Sequence, residues 1–345
     1  MNRRTVATST APLVSIVTPV YNGAAFLAAC IESVCAQSYP NWRYTILDNC
    51  STDETATIAA RYAAAEPRIR VVRNPRFLPL IDNHNRALTL IEADSRYCKP
   101  LMADDCLYPE CVELLVRCAL ARAEVGLVCS STRIGPERVL FDCDPRADSP
   151  FSYLTGRAAA RRGLLGERYF FGSPTTQLLR CDLIRARVPF YNPDNLQADE
   201  EACYALLRDC DFGFVNRPLS RVRMHAGSHT AANFHLFALE SCHVYVLAKY
   251  GPVFLEPAEL QARLRQRMEE YYARLALAAV ELRGADFWAF HRGMLRLIGQ
   301  PLSRTRLAAA IARHVARRLA NPAGLVHSLA SRVATLSRRT PPRAQ

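Results

Sequence analysis

Lysine is almost absent from this sequence, and so is any long apolar run. Lys99 and Lys249 are the only lysines among 44 basic residues in a chain of 345, so arginine supplies nearly all the positive charge. No stretch of 18 apolar residues occurs, which argues against a membrane-spanning helix. The 13 cysteines are scattered without a CxxC pair. This pattern favours reduced, buried thiols over a disulfide framework and predicts a cytoplasmic protein.

Four familiar catalytic motifs are also missing. The chain has no GxxxxGK[ST], GxGxxG, GxSxG or HExxH segment. P-loop NTPases, dinucleotide-binding folds, α/β-hydrolases and zincins each depend on one of these segments for their chemistry. The sequence therefore argues against membership of any of these four classes.

What is present is the composition of a globular protein, with 50% hydrophobic and 22% charged residues. The length predicts two domains, or one large domain with an appendage. We predict a disordered tail over residues 1–11, an α/β domain over 12–232 and a helical, basic region over 233–345. Positive charge accumulates at the C-terminal end, where eleven arginines and no acidic residue follow Asp286. This asymmetry indicates an anionic partner, either a membrane or a nucleic acid.

Strand-like and helix-like segments alternate over the first 130 residues. Apolar, β-branched runs predict strands at 13–18, 42–47, 69–72, 97–102 and 125–130, with helices between them. Such alternation indicates a parallel sheet whose ligands gather at the carboxyl ends of the strands. Three polar clusters should therefore converge on one edge of the sheet: Thr18–Asn22, Asp48–Asp53 and Asp104-Asp105.

An aspartate pair after an apolar strand suits a hard divalent cation, Mg²⁺ or Mn²⁺, that is shared with a diphosphate. Taken alone, such a pair is more often a solvated turn. Three segments together are more specific, because they resemble the family 2 glycosyltransferases in order and spacing: V-S-I-V-T-P-V-Y-N at 14–22, L-D-N-C-S-T-D-E-T at 47–55 and L-M-A-D-D-C-L-Y-P at 101–109.

The likeness extends over roughly residues 12–230. It implies the GT-A fold, an α/β fold with a Rossmann-like, mostly parallel sheet flanked by helices, here followed by an all-α C-terminal extension. It also implies an inverting enzyme that uses nucleotide-diphosphate sugars.

The resemblance implies a role for each matching residue. Asp48 corresponds to the first acidic residue of the family's D-D-G-S-x-D-x-T segment, which accepts a hydrogen bond from the uracil ring. Asn49 and Cys50 depart from that segment. The implied nucleotide-binding residues are Thr18, Pro19, Tyr21, Asp48, Asn85 and Asp104.

The acidic motif implies a divalent-cation site at Asp104 and Asp105. Because Met102 stands where the family often has Asp, Asp105 is expected to be the direct ligand and Asp104 a ribose or metal contact. His225 lies in a stretch that resembles the family's R-x-H-x-G-S ending, so it is a further candidate for the metal site or the diphosphate.

The segment Q-A-D-E-E-A-C-Y-A-L-L at 197–207 resembles the family's E-D-x-x-x-x-x-x-L segment. Asp199 takes the place of its catalytic base, and Glu200 is the rival assignment. The structural alternative is that Asp199 caps a helix beginning at Glu201.

These expectations describe transfer of a sugar from a nucleotide-diphosphate donor, expected to be a UDP-sugar, to the hydroxyl of a glycan or lipid-linked acceptor in cell-surface polysaccharide or glycolipid synthesis. One alternative is a sugar-nucleotide nucleotidyltransferase, although the loop at 21–26 lacks the basic residues typical of that class. Another is a non-catalytic, basic nucleic-acid-binding protein. Because no nucleic-acid-binding motif is present, we predict no nucleic-acid partner.

A basic amphipathic helix is predicted over residues 303–320. Four apolar side chains share one face and three arginines lie opposite: Leu307, Ile311, Val315 and Leu319 against Arg306, Arg313 and Arg317. Such a helix can lie in a membrane interface, or it can pack its apolar stripe on the rest of the protein. We predict peripheral attachment to the inner face of the cell membrane through residues 287–345.

Overall fold

The computed structural model describes residues 11–135, 138–141, 143, 149–225 and 236–320. The chain divides into two compact units, one of residues 1–235 with 250–255 and one of residues 236–249 with 256–345. The predicted tail over residues 1–11 lies outside the described residues apart from Ala11. The predicted boundary at residue 232 falls within 226–235, which also lie outside them.

The first unit alternates strands and helices. Its first ten elements are β1 Val14–Val20, α1 Ala24–Cys35, β2 Trp42–Asp48, α2 Thr55–Ala65, β3 Ile69–Arg73, α3 Leu80–Leu88, β4 Tyr97–Pro100, β5 Cys106–Leu107, α4 Cys111–Leu120 and β6 Val125–Ile134. The others are β7 Arg138–Leu140, β8 Phe151–Leu154, α5 Gly156–Leu165, a 3₁₀ turn Pro174–Thr176, β9 Gln177–Arg180, α6 Cys181–Arg185, α7 Ala198–Leu206 and β10 Asp211–Val222.

The strands form one ten-stranded sheet in the order β3-β2-β1-β4-β9-β6-β10-β5, with β7 paired to β6 and β8 paired to β10. The pairs β1–β2, β1–β4 and β2–β3 are parallel, as the alternation predicted. β9 runs antiparallel to both β4 and β6, so the sheet is mixed beyond β4. Because β4, β1 and β2 are parallel neighbours, their carboxyl ends share one edge of the sheet.

The core beneath this edge is formed by β1 and its neighbours. All seven residues of β1 are buried, which is typical of a strand covered on both faces. α1 contributes Leu27 and Ile31 to the same cluster, and β2 contributes Trp42 and Tyr44. The strand ends that carry the polar clusters are therefore fixed on a rigid base.

The stretch 131–170 contains β7, β8 and the helix α5, for which the sequence analysis gave no prediction. The Thr155 side chain caps α5 by accepting from the N–H of Ala158. One sequence prediction needs correction. The helix expected from Glu201 begins at Ala198 instead. Asp199 therefore lies inside the first helical turn and does not cap it, because the N-cap position belongs to Gln197.

The second unit is helical, as predicted for the C-terminal region. Its helices are α8 Ala238–Phe254, whose last turn belongs to the first unit, α9 Pro257–Val280, α10 Ala285–Leu297 and α11 Arg304–Leu319. Its core contains a buried hydrogen bond of 2.5 Å between Tyr271 Oη and His291 Nδ1. None of the described helices is both long and apolar enough to cross a membrane.

The apolar stripe of α11 is divided along its length. Leu307 and Ile311 pack against the core cluster of the helical unit, whereas Val315 and Leu319 are 42% and 73% exposed. Helix packing within the second unit therefore uses the first half of the stripe and leaves the second half exposed.

Candidate functional site

A turn at the end of β1 is held by the polar residues that follow β2. Asn22 adopts a φ of 50°, which the left-handed preference of asparagine allows. The backbone N–H groups of residues 22–24 donate, in order, to the side chains of Ser51, Thr55 and Asp53 at 2.9, 2.8 and 3.1 Å. The segment 51–55 thereby anchors the start of α1, which explains why it carries short hydroxyl and carboxylate side chains.

Asp48 is the last residue of β2 and is fully buried. Its Oδ1 accepts the backbone N–H of Ser51 at 2.9 Å. Its Oδ2 lies 3.2 Å from Nη1 of Arg73, a distance that pairs the charges, but it accepts no hydrogen bond from any described residue. A buried carboxylate oxygen without a hydrogen-bond donor is costly, and the nearby charge of Arg73 offsets part of this cost.

Asn49 and Cys50, which depart from the family pattern, have structural roles. The Asn49 Oδ1 accepts from Nδ2 of Asn74 and from the N–H of Leu78, and its Nδ2 donates to the carbonyl of Leu78, all within 2.9 Å. We call Asn49, Asn74 and Leu78 the amide clasp. Cys50 adopts a φ of 62° at the position where the family pattern has glycine.

The acidic pair after β4 is unequal. Asp105 is buried, and it accepts from Oγ1 of Thr175 at 2.6 Å and from the backbone N–H of Arg223 at 3.1 Å. Burial, together with the neighbouring Asp104, raises the pKa of Asp105 to about 7. The Asp104 side chain is 30% exposed, and its Oδ2 lies 3.0 Å from Nε2 of His225. Asp104 and His225, rather than Asp105, thus offer accessible ligand atoms.

A pocket of about 180 Å³ lies between α3 and α7. We call it the α3–α7 pocket. It is lined by Leu80, Ile81, His84, Met102, Ser173, Pro174, Tyr191, Leu196, Gln197, Ala198 and Asp199. Met102, two residues before Asp104, brings the acidic segment to the same pocket as Asp199.

Asp199 is half-buried in the first turn of α7, where the backbone N–H of Glu200 donates to its carboxylate. Burial raises the pKa of Asp199 to about 6, because desolvation outweighs the effect of the backbone donors. Glu200 is buried and does not line the pocket. Of the two candidates for the base, Asp199 is the one that faces the pocket.

The remaining predicted residues lie as follows. The Thr18 hydroxyl accepts from the Tyr44 hydroxyl at 2.9 Å in the core, so its side chain points away from solvent. Pro19 is buried beside it in β1. Tyr21 is 49% exposed and makes an edge contact with Phe77 at 4.9 Å. Tyr21 therefore presents an aromatic ring at the edge of the sheet.

Asn85 holds the backbone of Tyr191. Its Nδ2 donates to the Tyr191 carbonyl at 2.8 Å, and its Oδ1 accepts the Tyr191 N–H at 2.7 Å. Both hydrogen-bonding groups of the Asn85 side chain are thereby used in positioning a residue that lines the α3–α7 pocket.

Replacing Asn85 by Ala is expected to lower the free energy of unfolding by about 1–3 kcal/mol, because it leaves backbone groups of Tyr191 without partners. Urea unfolding measures this, with Arg86→Ala on the exposed side of the same helix as the control. Weakened nucleotide binding with unchanged stability would instead assign Asn85 to the base or ribose.

Three residues around the pocket were missed in the sequence. His84 Nδ1 donates to the carbonyl of Leu80 at 2.8 Å, and its Nε2 lies 3.4 Å from Sδ of Met102. Thr175 holds Asp105, and the buried ammonium of Lys99 donates to the carbonyl of Thr175. The sequence offers one signal for these residues, which is the presence of Lys99 in a predicted strand of a chain with only two lysines. A lone lysine does not reveal, however, that it binds the carbonyl of Thr175.

Among the described residues, no group of three His, Cys, Asp or Glu side chains is arranged to hold a metal ion. Asp104 and His225 form a pair only. A cation there would need its other ligands from a phosphate-bearing ligand and water.

Comparison with known proteins identifies the family of this chain. The model of "Glycosyl transferase family 2" matches residues 15–187, half of the chain. The chain belongs to glycosyl transferase family 2. A relative in Sinorhizobium fredii, the uncharacterized protein y4gI, is 39% identical over 119 residues, which are 34% of this chain and 13% of that protein. The chondroitin synthase of Escherichia coli is 32% identical over 121 residues, 35% of this chain and 17% of the synthase. The chain thus covers only a minor part of these relatives.

Two solved structures show that the fold of this family 2 member is GT-A. Staphylococcus aureus TarS (residues 1–349), solved with UDP-GlcNAc, superposes with a TM-score of 0.61 at 15% identity and covers 87% of both chains. The mannosyltransferase PcManGT of Pyrobaculum calidifontis, solved with GDP-Man and Mn²⁺, gives a TM-score of 0.51 at 16% identity and covers 96% of this chain and 89% of the other. The predicted fold class and family are confirmed.

Proposed function

We propose that this protein is an inverting glycosyltransferase that moves a sugar from a nucleotide-diphosphate donor to an acceptor hydroxyl. The observation that carries the proposal is the α3–α7 pocket, which brings Asp199 and the segment of the acidic pair to one cavity of monosaccharide size. Participation in cell-surface polysaccharide or glycolipid synthesis is part of the proposal and is supported by the likeness to a chondroitin synthase.

Uridine is the proposed nucleotide base. The buried Asp48 has an oxygen without a hydrogen-bond donor among the described residues, and the imide N–H of uracil is a donor that it can accept. The exposed rings of Tyr21 and Phe77 offer apolar surface for the base or ribose near this edge. TarS binds UDP-GlcNAc, which agrees with this choice.

Asp104 and His225 fit a divalent cation that takes most of its ligands from phosphates and water. Carboxylate oxygen suits Mg²⁺ and Mn²⁺, and such ions are commonly held by one or two carboxylates together with a substrate diphosphate. When bound, the cation would neutralise the charge of the leaving diphosphate. Asp105 would keep the loop in place through Thr175 and Arg223.

Asp199 is the proposed base. Its carboxylate would take the proton of the acceptor hydroxyl as that oxygen attacks the anomeric carbon, and the bond to the diphosphate would break on the opposite face. With one base and no protein nucleophile, a single displacement inverts the configuration.

The geometry argues against nucleotidyl transfer. That chemistry needs donors that hold a triphosphate after the first strand, but here the N–H groups of residues 22–24 already donate to Ser51, Thr55 and Asp53.

We expect UDP-sugars to be hydrolysed slowly with Mn²⁺ and no acceptor, and the first sugar released from an α-linked donor to be the β-anomer. Proton NMR during the first turnovers measures the anomer before mutarotation equilibrates it. Release of the α-anomer first would contradict inversion.

Peripheral membrane attachment through residues 287–345 is a separate proposal. Because Leu307 and Ile311 pack within the helical unit, it depends on the exposed arginines of α11 and on Val315 and Leu319. Each basic residue near anionic lipid adds about 1 kcal/mol, so the triple change Arg306→Gln, Arg313→Gln and Arg317→Gln should weaken vesicle binding about 100-fold. Flotation with anionic vesicles measures this, and the control changes Arg86, Arg117 and Arg208 to Gln. Equal flotation of both variants and the parent would refute the proposal.

A further inference from the structure

The lining of the α3–α7 pocket is unlike that of a site for a fully hydroxylated sugar. Leu80, Ile81, Met102, Pro174, Leu196 and Ala198 give it mainly apolar walls. Met102 adds to this character, because it stands where the family often has an aspartate. Each sugar hydroxyl that enters such a pocket without a partner costs free energy.

Besides Asp199, the polar side chains that line the pocket are those of His84, Ser173, Tyr191 and Gln197. The Ser173 and Tyr191 hydroxyls are buried and have no hydrogen-bond partner among the described residues, and His84 already donates to the carbonyl of Leu80. Because Asp199 is the proposed base, its carboxylate contacts the acceptor hydroxyl and not a hydroxyl of the donor sugar. No Lys or Arg lines the pocket within the described part of the chain, so nothing there would offset the charge of a uronate beside Asp199.

The size of the pocket limits it to one sugar residue. Its volume of about 180 Å³ is below the range of about 300–1,000 Å³ typical of drug-sized ligands. The half-buried Leu80, Ile81 and Leu196 leave apolar side-chain surface open to whatever fills it.

We propose that the transferred sugar bears a methyl group, in the form of a 6-deoxy sugar or an acetamido sugar, and that this methyl group packs against the apolar wall formed by Leu80, Met102 and Leu196. The inference rests on the proposed glycosyl transfer and specifies its donor class. A pocket that binds a methyl group discriminates by about 10- to 200-fold against a ligand that lacks it.

Matched donors test this inference with the full-length protein and Mn²⁺. UDP-N-acetylglucosamine is compared with UDP-glucose, and dTDP-6-deoxyglucose with dTDP-glucose, by kcat/KM for hydrolysis, with UDP-glucuronic acid as a fifth donor. We expect at least one methyl-bearing donor to exceed its partner by tenfold or more, and the pair in which this occurs identifies the kind of methyl group. Turnover of UDP-glucose or UDP-glucuronic acid with no preference for a methyl-bearing donor would overturn the inference while leaving the transferase function intact. No turnover of any donor would overturn both.

A variant locates the preference in the pocket. Leu196→Gln should reduce the ratio of kcat/KM between the methyl-bearing donor and its partner at least fivefold. The affinity for UDP should not change, since only the wall of the sugar pocket is altered. Leu120→Gln, an exposed leucine at the end of α4, is the matched control and should keep the parent ratio. A ratio that is unchanged in Leu196→Gln would refute the assignment of the methyl group to this wall.

Discussion

Replacing Asp199 by Asn is expected to lower the turnover of a nucleotide sugar by about 10²- to 10⁴-fold, which is the usual contribution of a positioned general base. The amide has nearly the same shape but cannot take up the proton of the attacking hydroxyl. UDP affinity should change little, because Asp199 lines the pocket at its α7 end, whereas Asp48 lies at the end of β2. Single-turnover kinetics together with calorimetric titration of UDP separates the two effects.

Two further variants make the assignment specific. Asp194→Asn, an exposed aspartate five residues earlier, should keep the parent turnover. Glu200→Gln tests the rival base, and its thermal stability must be measured as well, because Glu200 is buried. If Glu200→Gln abolished turnover in a folded protein while Asp199→Asn did not, the roles would be exchanged.

The pKa of Asp199 also predicts how the turnover number falls at low pH. Burial raises the pKa of Asp199 to about 6, and the base works only when it is deprotonated. The turnover number should therefore be retained above pH 6 and fall tenfold per pH unit well below it. In the Asp199→Asn variant this limb should disappear from the residual activity.

Replacing Asp104 by Asn is expected to reduce Mn²⁺-dependent turnover by about 10²- to 10³-fold, because charge stabilisation by a bound cation contributes several kcal/mol and each 1.4 kcal/mol is tenfold. In the parent, UDP should bind more tightly with Mn²⁺ than with a chelator present, and this difference should vanish in the variant. Asp94→Asn, an exposed aspartate before β4, is the control. A parent protein that binds UDP equally well in the chelator would contradict a cation at Asp104.

Much of the fold was predictable, because β1, β2 and β6 are rich in apolar and β-branched residues and α1 has apolar residues at helical spacing. Those patterns predicted the parallel order of β1, β2 and β4 and hence the common edge of their polar ends. The helix α5 was missed because its sequence, G-R-A-A-A-R-R-G-L-L, has glycines and arginines where an apolar stripe would be visible.

The unequal roles of Asp104 and Asp105 were not predictable from adjacent sequence. Asp105 is engaged by Thr175 and Arg223, which are 70 and 118 residues away along the chain. Only the pairing of β10 with β5 and the position of the 3₁₀ turn bring those donors to it. Likewise, an amphipathic pattern such as that of α11 is expected both for a helix that lies on a membrane and for a helix that packs against α9. The pattern alone therefore does not identify the surface that the apolar face contacts.

The amide clasp has a consequence for how this protein responds to acid. A carboxylate at position 49, as in the family pattern, would gain a proton at low pH, and this would change its hydrogen bonds to residues 74–78. The side-chain amide of Asn49 does not titrate, so its hydrogen bonds to Asn74 and Leu78 persist at low pH. The hydrogen bonds that hold the chain beside the proposed uridine site are therefore independent of pH.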